Sequence, residues 1–408
     1  MNKQNKYAPA LIALTTLFFM WGLITSLNDI LIPHLKGAFA LSYTQAMLVQ
    51  LCFFGAYFVV SLPSGYFVKR VGYKHGIIAG LATAGTGCLL FYPAAAAHSY
   101  PLFLGALFVL ASGITLLQVA ANPYVAILGA PQTASSRLVL TQAFNSLGTT
   151  VGPFVGAVLI LSTIHAPDET ARQAAEAASV QVPYLGLAAA LFALAVLIKL
   201  LHLPQVEEPQ VDGASAETPS RTSVWQYRHL VLGAVAIFFY VGAEVAIGSF
   251  LVSFMSRPEI AALTPETAGK YLSLYWGGAM VGRFIGAAVL TRVRAGRVLV
   301  FNAIMVVLLL VTAMLFAGKI AMWSLLAIGL FNSIMFPVIF TLAIAGLGRH
   351  TGAGSGVLCM AIVGGAIVPV LQGVFADHID LLYSFAIPLT CYLYIAHYGF
   401  KGHRAGLK

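Results

Sequence analysis

Apolar runs, each about as long as a bilayer is thick, alternate along this chain with short polar breaks. Twelve can be traced, near 8–33, 44–68, 76–96, 101–128, 138–163 and 183–203, then near 228–255, 269–290, 298–318, 321–346, 354–376 and 381–400. About 20 apolar residues cross a bilayer as a helix, and a helix satisfies its own backbone polar groups in lipid. The pattern predicts an all-α membrane protein with twelve transmembrane helices. The sixth and seventh runs are separated by "LPQVEEPQVDGASAETPSRTSVWQYRH", which is polar, acidic and rich in Pro, Ser and Thr. Such a segment reads as a flexible linker. The expected organisation is an N-terminal six-helix bundle (1–203), a cytoplasmic linker (204–227) and a C-terminal six-helix bundle (228–408). The first run is too long for a cleaved signal peptide, and no small-x-small site follows it.

Composition supports this pattern. Of 408 residues, 60% are hydrophobic and only 9% charged, against about 25% charged in soluble domains. The net charge of +9 is explained by placement, without any nucleic acid. With both termini inside, sixteen of the 22 Lys and Arg fall on the cytoplasmic side and five outside, leaving Arg283 within a run. This is the positive-inside bias, and it predicts N-in, C-in. "GYFVKRVGYK" (65–74) closes the second run and "GAAVLTRVRAGR" (286–297) the eighth. Paired six-helix halves with basic loops at corresponding places point to an alternating-access transporter, whose site lies at mid-membrane.

Few residues in the runs carry chemistry. Of thirteen acidic residues, only Asp29 and Glu244 fall within runs, in the first helix of each half. An intramembrane carboxylate faces an interior or a water-filled cavity and is a functional candidate; the bland alternative is an interhelical hydrogen-bond pair. Arg283 is a candidate for gating or for pairing with an acid. The amides Gln118 and Asn122 ("LLQVAANPYV"), Gln142 and Asn145 ("LTQAFNSLG") and Asn332 ("FNSIMFPVIF") lie in runs 4, 5 and 10. Gln118 and Asn122 share a helix face, as do Gln142 and Asn145. Amides that donate and accept, with aromatics such as Tyr275, Trp276 and Phe144, suit a neutral polyhydroxylated ligand; each amide alone is equally well read as helix–helix glue. The four cysteines show neither CxxC nor metal spacing and read as small buried apolar residues.

"NDILIPHLK" (28–36), "QVAANPYVAILG" (118–129), "LTQAFNSLGTTVGP" (140–153), "YWGGAMVGRFIG" (275–286) and "FNSIMFPVIFTLA" (331–343) together resemble the fucose/glucose/galactose symporter group of the major facilitator superfamily. They look most like its bacterial glucose/galactose branch. The resemblance covers nearly the whole chain, the linker least. It implies two pseudo-symmetric six-helix bundles in a bacterial inner membrane and uptake of a hexose driven by a cation gradient. Gln142 and Asn145 match positions lining the sugar cavity. Proton-coupled fucose members carry a Glu where this chain has Gln118, and a neutral residue where it has Glu244. Asp29 is left as the matching acid of the first half. A lone buried carboxylate takes up a proton or a metal cation.

The resulting expectation is cation symport of a glucose/galactose-type hexose, with Na+ preferred to H+. Asp29, Asn28, Gln118 and Asn122 would serve the cation, and Asp29 would be the metal ligand if it is Na+. Gln142, Asn145, Glu244, Tyr275, Trp276 and Asn332 would serve the sugar, and Arg283 the gate. No cofactor beyond the coupling cation is expected, and the chain should act as a monomer. The alternatives are proton symport of another monosaccharide and, against the amides, efflux of small molecules. An integral membrane enzyme is disfavoured because the histidines are scattered at the ends of runs without a nucleophile or paired acids.

Overall fold

A computed structural model describes residues 8–39, 43–159, 178, 180–201 and 223–405 of the chain. Among them, twelve helical spans follow in order: α1 (Ala8–Ala38), α2 (Tyr43–Val71), α3 (Tyr73–Ala96), α4 (Tyr100–Ile127), α5 (Ala134–Leu159), α6 (Gln181–Leu200), α7 (Arg228–Met255), α8 (Pro265–Val289), α9 (Ala295–Leu315), α10 (Gly318–Ile344), α11 (Gly348–His378) and α12 (Leu381–Phe400). Ten are long and apolar enough to cross a membrane among the described residues; α5 and α8 fall short. The charged residues in α8 are Glu266, Lys270 and Arg283. Each expected run is met by a helix. Gly72 alone separates α2 from α3, at φ 83°. A side chain is disfavoured there, so glycine lets one span turn directly into the next.

The departures from the expected pattern lie inside spans. The run at 321–346 is two segments, Gly318–Asn332 and Met335–Ile344, with a turn between them. Its cause is Pro337. Proline has no N–H, so the carbonyl of Ser333, four residues earlier, has no intrahelical donor. In α12 the helix is interrupted at Phe385, and Pro388 stands in the same relation to Ser384.

Two compact units are present: Met1–Leu128 with Phe144–Val206, and Gly129–Ala143 with Glu207–Lys408. In the first, α3 and α4 pack along their lengths, and Phe91 stacks on Tyr184 of α6 at 4.2 Å between ring centroids. α5 lies so close to α1 that a Cβ on Gly22 would sit 1.9 Å from the carbonyl oxygen of Asn145. Small residues that admit such backbone approach are what packs helices in lipid. In the second unit, α7 lies centrally against α10, α11 and α12, burying Leu230, Ile237, Tyr240, Ile247 and Phe254. Beyond the C-terminal end of α7, Arg257 Nη1 donates to both carboxylate oxygens of Asp380, at 2.9 and 3.0 Å, and its Nε bonds Glu259. Asp380 also caps α12, accepting the Leu382 N–H at 2.6 Å.

Candidate functional site

The polar side chains of the second unit converge around the break in α10. α7 supplies Tyr240 and Glu244, one helical turn apart, so they share a face. Tyr240 Oη donates to Glu244 Oε1 at 2.7 Å and also lies 3.0 Å from the main-chain oxygen of Asn332. Asn332 is fully buried (0% exposed). Its Nδ2 donates to Tyr275 Oη at 2.9 Å, and its Oδ1 accepts from Tyr392 Oη at 2.8 Å. Tyr275 Oη in turn donates to the Glu244 carbonyl at 3.3 Å. Tyr275 reaches this point because α8 and α10 nearly touch: a Cβ on Gly329 would sit 2.0 Å from the Tyr275 carbonyl oxygen. Three tyrosines and an asparagine thus form one buried chain of hydrogen bonds ending on Glu244. The Glu244 side chain is itself only half-buried. Among the described residues its one hydrogen-bond partner is Tyr240, on Oε1, which leaves its second oxygen to accept from a ligand.

The break is served by side chains in place of amides. Asn302 Nδ2 of α9 donates to the Phe331 carbonyl at 2.8 Å, Tyr240 approaches that of Asn332, and Arg283 Nε of α8 donates to that of Ser333 at 3.0 Å. Three successive carbonyls are therefore met by donors from three helices. Arg283 occupies the place of the N–H that Pro337 lacks. Its Nη1 also donates to the carbonyl of Gln142 at 3.3 Å.

The remaining expected residues are distributed as follows. Trp276 is half-exposed; its ring lies over Gly248 of α7 and meets Tyr275 edge-on at 5.1 Å. Gln142 is buried and belongs to the second unit with the start of α5, whereas Asn145 belongs to the first. Asn145 Nδ2 donates to the Phe18 carbonyl of α1 at 2.9 Å. In the first unit Gln118 is buried and accepts from Tyr57 Oη at 2.9 Å, and Asn122 is buried one turn further along α4. Asn28 and Asp29 lie on α1, but their side chains fall outside the described residues. On the same helix, the hydroxyls of Thr25 and Ser26 return to carbonyls of their own helix. The structure thus brings Glu244, Tyr275, Asn332 and Arg283 together in one unit. It adds Tyr240, Tyr392, Asn302 and Tyr57, none of them among the expected site residues. Tyr240 was within reach of sequence reading, being four residues before Glu244. The other three meet their partners across 29 to 61 residues of chain and have no local signature.

Comparison with known proteins accords with this architecture. Residues 12–369 match the family model described as Major Facilitator Superfamily. A Brucella abortus protein named glucose/galactose transporter is 59% identical over 404 residues, covering 99% of this chain and 96% of that one. The Escherichia coli L-fucose-proton symporter is 33% identical over 408 residues, covering 97% of this chain and 93% of that one. A crystal structure of the Escherichia coli fucose:proton symporter superposes with a TM-score of 0.86 at 31% identity, covering 97% of this chain and 98% of that one.

Proposed function

The chain belongs to the major facilitator superfamily, and from that premise we propose that it takes up a hexose of the glucose/galactose type together with a cation. Membership makes it a transporter rather than an enzyme, a multi-pass protein of the bacterial inner membrane with the twelve-helix fold. The observation that carries the sugar assignment is the relative named for glucose and galactose, whose similarity runs through both units. The polar set is chemically suited to it. A carboxylate with a free oxygen, at Glu244, accepts sugar hydroxyls through charge-assisted bonds roughly twice as strong as neutral ones. Gln142 and Asn145 add amide contacts, and Tyr275 and Trp276 an aromatic wall. Asn332, buried and held at both ends, acts in this reading by positioning Tyr275 and Tyr240 around Glu244. Arg283 acts on the gate by holding the α10 break.

Coupling is assigned to Asp29, with Asn28, Gln118 and Asn122 as its candidate partners, and the cation to Na+. In the first unit Gln118 is a neutral amide bonded to Tyr57, so Asp29 is left to carry the charge. H+ is the second reading, favoured by the relatives named proton symporters. Either cation moving one charge inward is worth roughly 2.3 kcal/mol per 100 mV, which at about 1.4 kcal/mol per tenfold supports roughly 50-fold accumulation by a monomer.

The test is uptake of radiolabelled D-glucose and D-galactose into proteoliposomes under an imposed Na+ gradient or pH gradient, with Asp29→Asn alongside. Accumulation that follows the Na+ gradient and is lost in the variant, with sugar exchange retained, is the expected result. Accumulation driven by the pH gradient alone reassigns the cation. Accumulation undiminished in the variant removes Asp29 from coupling, and failure to transport either hexose removes the substrate class.

A further inference from the structure

Tyr240 has a single hydroxyl proton and two acceptors for it. One is a carboxylate, Glu244 Oε1 at 2.7 Å, and the other is the main-chain oxygen of Asn332 at 3.0 Å. The second acceptor lies at the last residue of the first segment of α10, where the helix is broken. A phenol O–H rotating about its C–O bond can point fully at only one acceptor. An ionised carboxylate is the stronger acceptor, so with Glu244 charged and unliganded the proton is directed at Glu244, and the Asn332 carbonyl is served poorly. A hydroxyl donated to Glu244 by a ligand competes for that carboxylate and weakens its hold on the phenol. The Tyr240 proton then turns to the Asn332 carbonyl and fastens α7 to the break. No proton leaves Tyr240; only the direction of the O–H changes.

We infer that Tyr240 is a positioning residue that passes the occupancy of Glu244 to the break in α10. The surroundings suit the role. The carbonyls on either side of Asn332 also accept from side chains, that of Phe331 from Asn302 Nδ2 and that of Ser333 from Arg283 Nε. Tyr240 divides one O–H between the break and a carboxylate. The ring cannot drift, since Tyr240 is 1% exposed, and Asn332 is pinned from its other side by Tyr275 and Tyr392. Occupancy is therefore read out as a hydrogen bond made or loosened at one position of α10, and a ligand shifts a conformational equilibrium only through such a difference between states. The inference rests on the reading of Glu244 as a sugar ligand for what occupies it, and on the geometry alone for how occupancy is passed on.

The test is hydrogen exchange of peptides spanning 331–340, read by mass spectrometry on the whole protein with and without D-galactose, together with the sugar dissociation constant and the exchange-transport rate. In the unaltered protein, D-galactose should slow exchange in this segment. Tyr240→Phe should bind D-galactose within about threefold of normal, lose the sugar-dependent change in 331–340, and transport about tenfold more slowly. Glu244→Gln, which keeps Tyr240 but offers it a weaker acceptor, should show the slowed exchange without sugar and no further change with it. Should Tyr240→Phe fail to fold, Glu244→Gln carries the test by itself. A sugar-dependent change that persists in Tyr240→Phe overturns the inference, as does exchange in Glu244→Gln that matches the unliganded protein. The two readings separate in Glu244→Gln. An unchanged dissociation constant with a slowed segment removes Glu244 from the sugar site and keeps the Tyr240 link. A weakened dissociation constant with an unaltered segment keeps the sugar site and removes the link.

Discussion

Asn332→Ala offers a stringent test of the buried network, because the structure specifies what each partner loses. Tyr392 loses the acceptor of its hydroxyl and is fully buried, at 0% exposed. A buried donor left without a partner costs about 1–3 kcal/mol. Tyr275 loses a donor but keeps the Glu244 carbonyl at 3.3 Å, so its share is that of an ordinary hydrogen bond, about 0.5–1.5 kcal/mol. Helix–helix hydrogen bonds in lipid average about 0.6 kcal/mol, since chains unfolded in the membrane also find partners. The substitution should therefore destabilise by about 1–4 kcal/mol. Tyr392→Phe, which leaves Asn332 Oδ1 unpaired, should fall in the lower half of that range. The decisive quantity is the double variant. Once Tyr392 is Phe, removing Asn332 no longer strands a hydroxyl, so the two losses should overlap by about 1 kcal/mol. The assay is reversible unfolding in mixed micelles titrated with a denaturing detergent. Losses that add to within about 0.5 kcal/mol, the behaviour of independent sites, would refute the account of Asn332 as a shared hub.

Other expectations follow from the same geometry. Arg283→Met removes the donor on Ser333 and should lower both stability and transport rate; adding Pro337→Ala restores an N–H four residues beyond Ser333 and should recover part of the loss, by melting temperature and by counterflow. Arg257, through its hydrogen bonds to Asp380, holds that carboxyl below the usual carboxylate range, about 3.9 in free peptides, with the Leu382 N–H adding to the effect. A lowered folded value means that this stabilisation is complete above the unfolded value and is lost as pH falls through the folded one. The fall in melting temperature between about pH 5 and pH 3 should accordingly be shallower in Asp380→Ala than in the unaltered protein, and an identical fall would show the pair to be inert. Asn145→Ala breaks the bond to Phe18 and exposes a carbonyl of α1, so a loss of about 1 kcal/mol is expected in thermal unfolding whether or not sugar affinity changes.

How much of this was legible in the sequence depends on how far each residue's partner lies along the chain. The spans were legible because lipid imposes length and apolarity on every crossing segment, and the intramembrane acids stood out because so few charges share those segments. The pairing of Tyr240 with Glu244 is a helical turn and was open to inspection. The role of Asn332 was not. As an intramembrane amide it reads as a ligand contact, and only the arrival of Tyr275 and Tyr392 from 57 and 60 residues away shows both ends of its side chain engaged. Pro337 announces a disturbed helix, but which carbonyls open and what serves them depends on the register of α7, α8 and α9 against α10. Arg283 shows the same limit. A basic residue in a span suggests an acid partner, and nothing local to it says that its Nε also meets the Ser333 carbonyl, 50 residues away.

The three donors at the break also bear on how the protein is made. A segment entering lipid with open carbonyls pays for each unsatisfied group, and α10 carries such carbonyls at its centre. Tyr240, Arg283 and Asn302 belong to α7, α8 and α9, all of which leave the ribosome before α10. When α10 reaches the membrane, every group needed to close its break is already in place. Moving α10 ahead of these helices by circular permutation would reverse that order, leaving the segment to enter with its centre open.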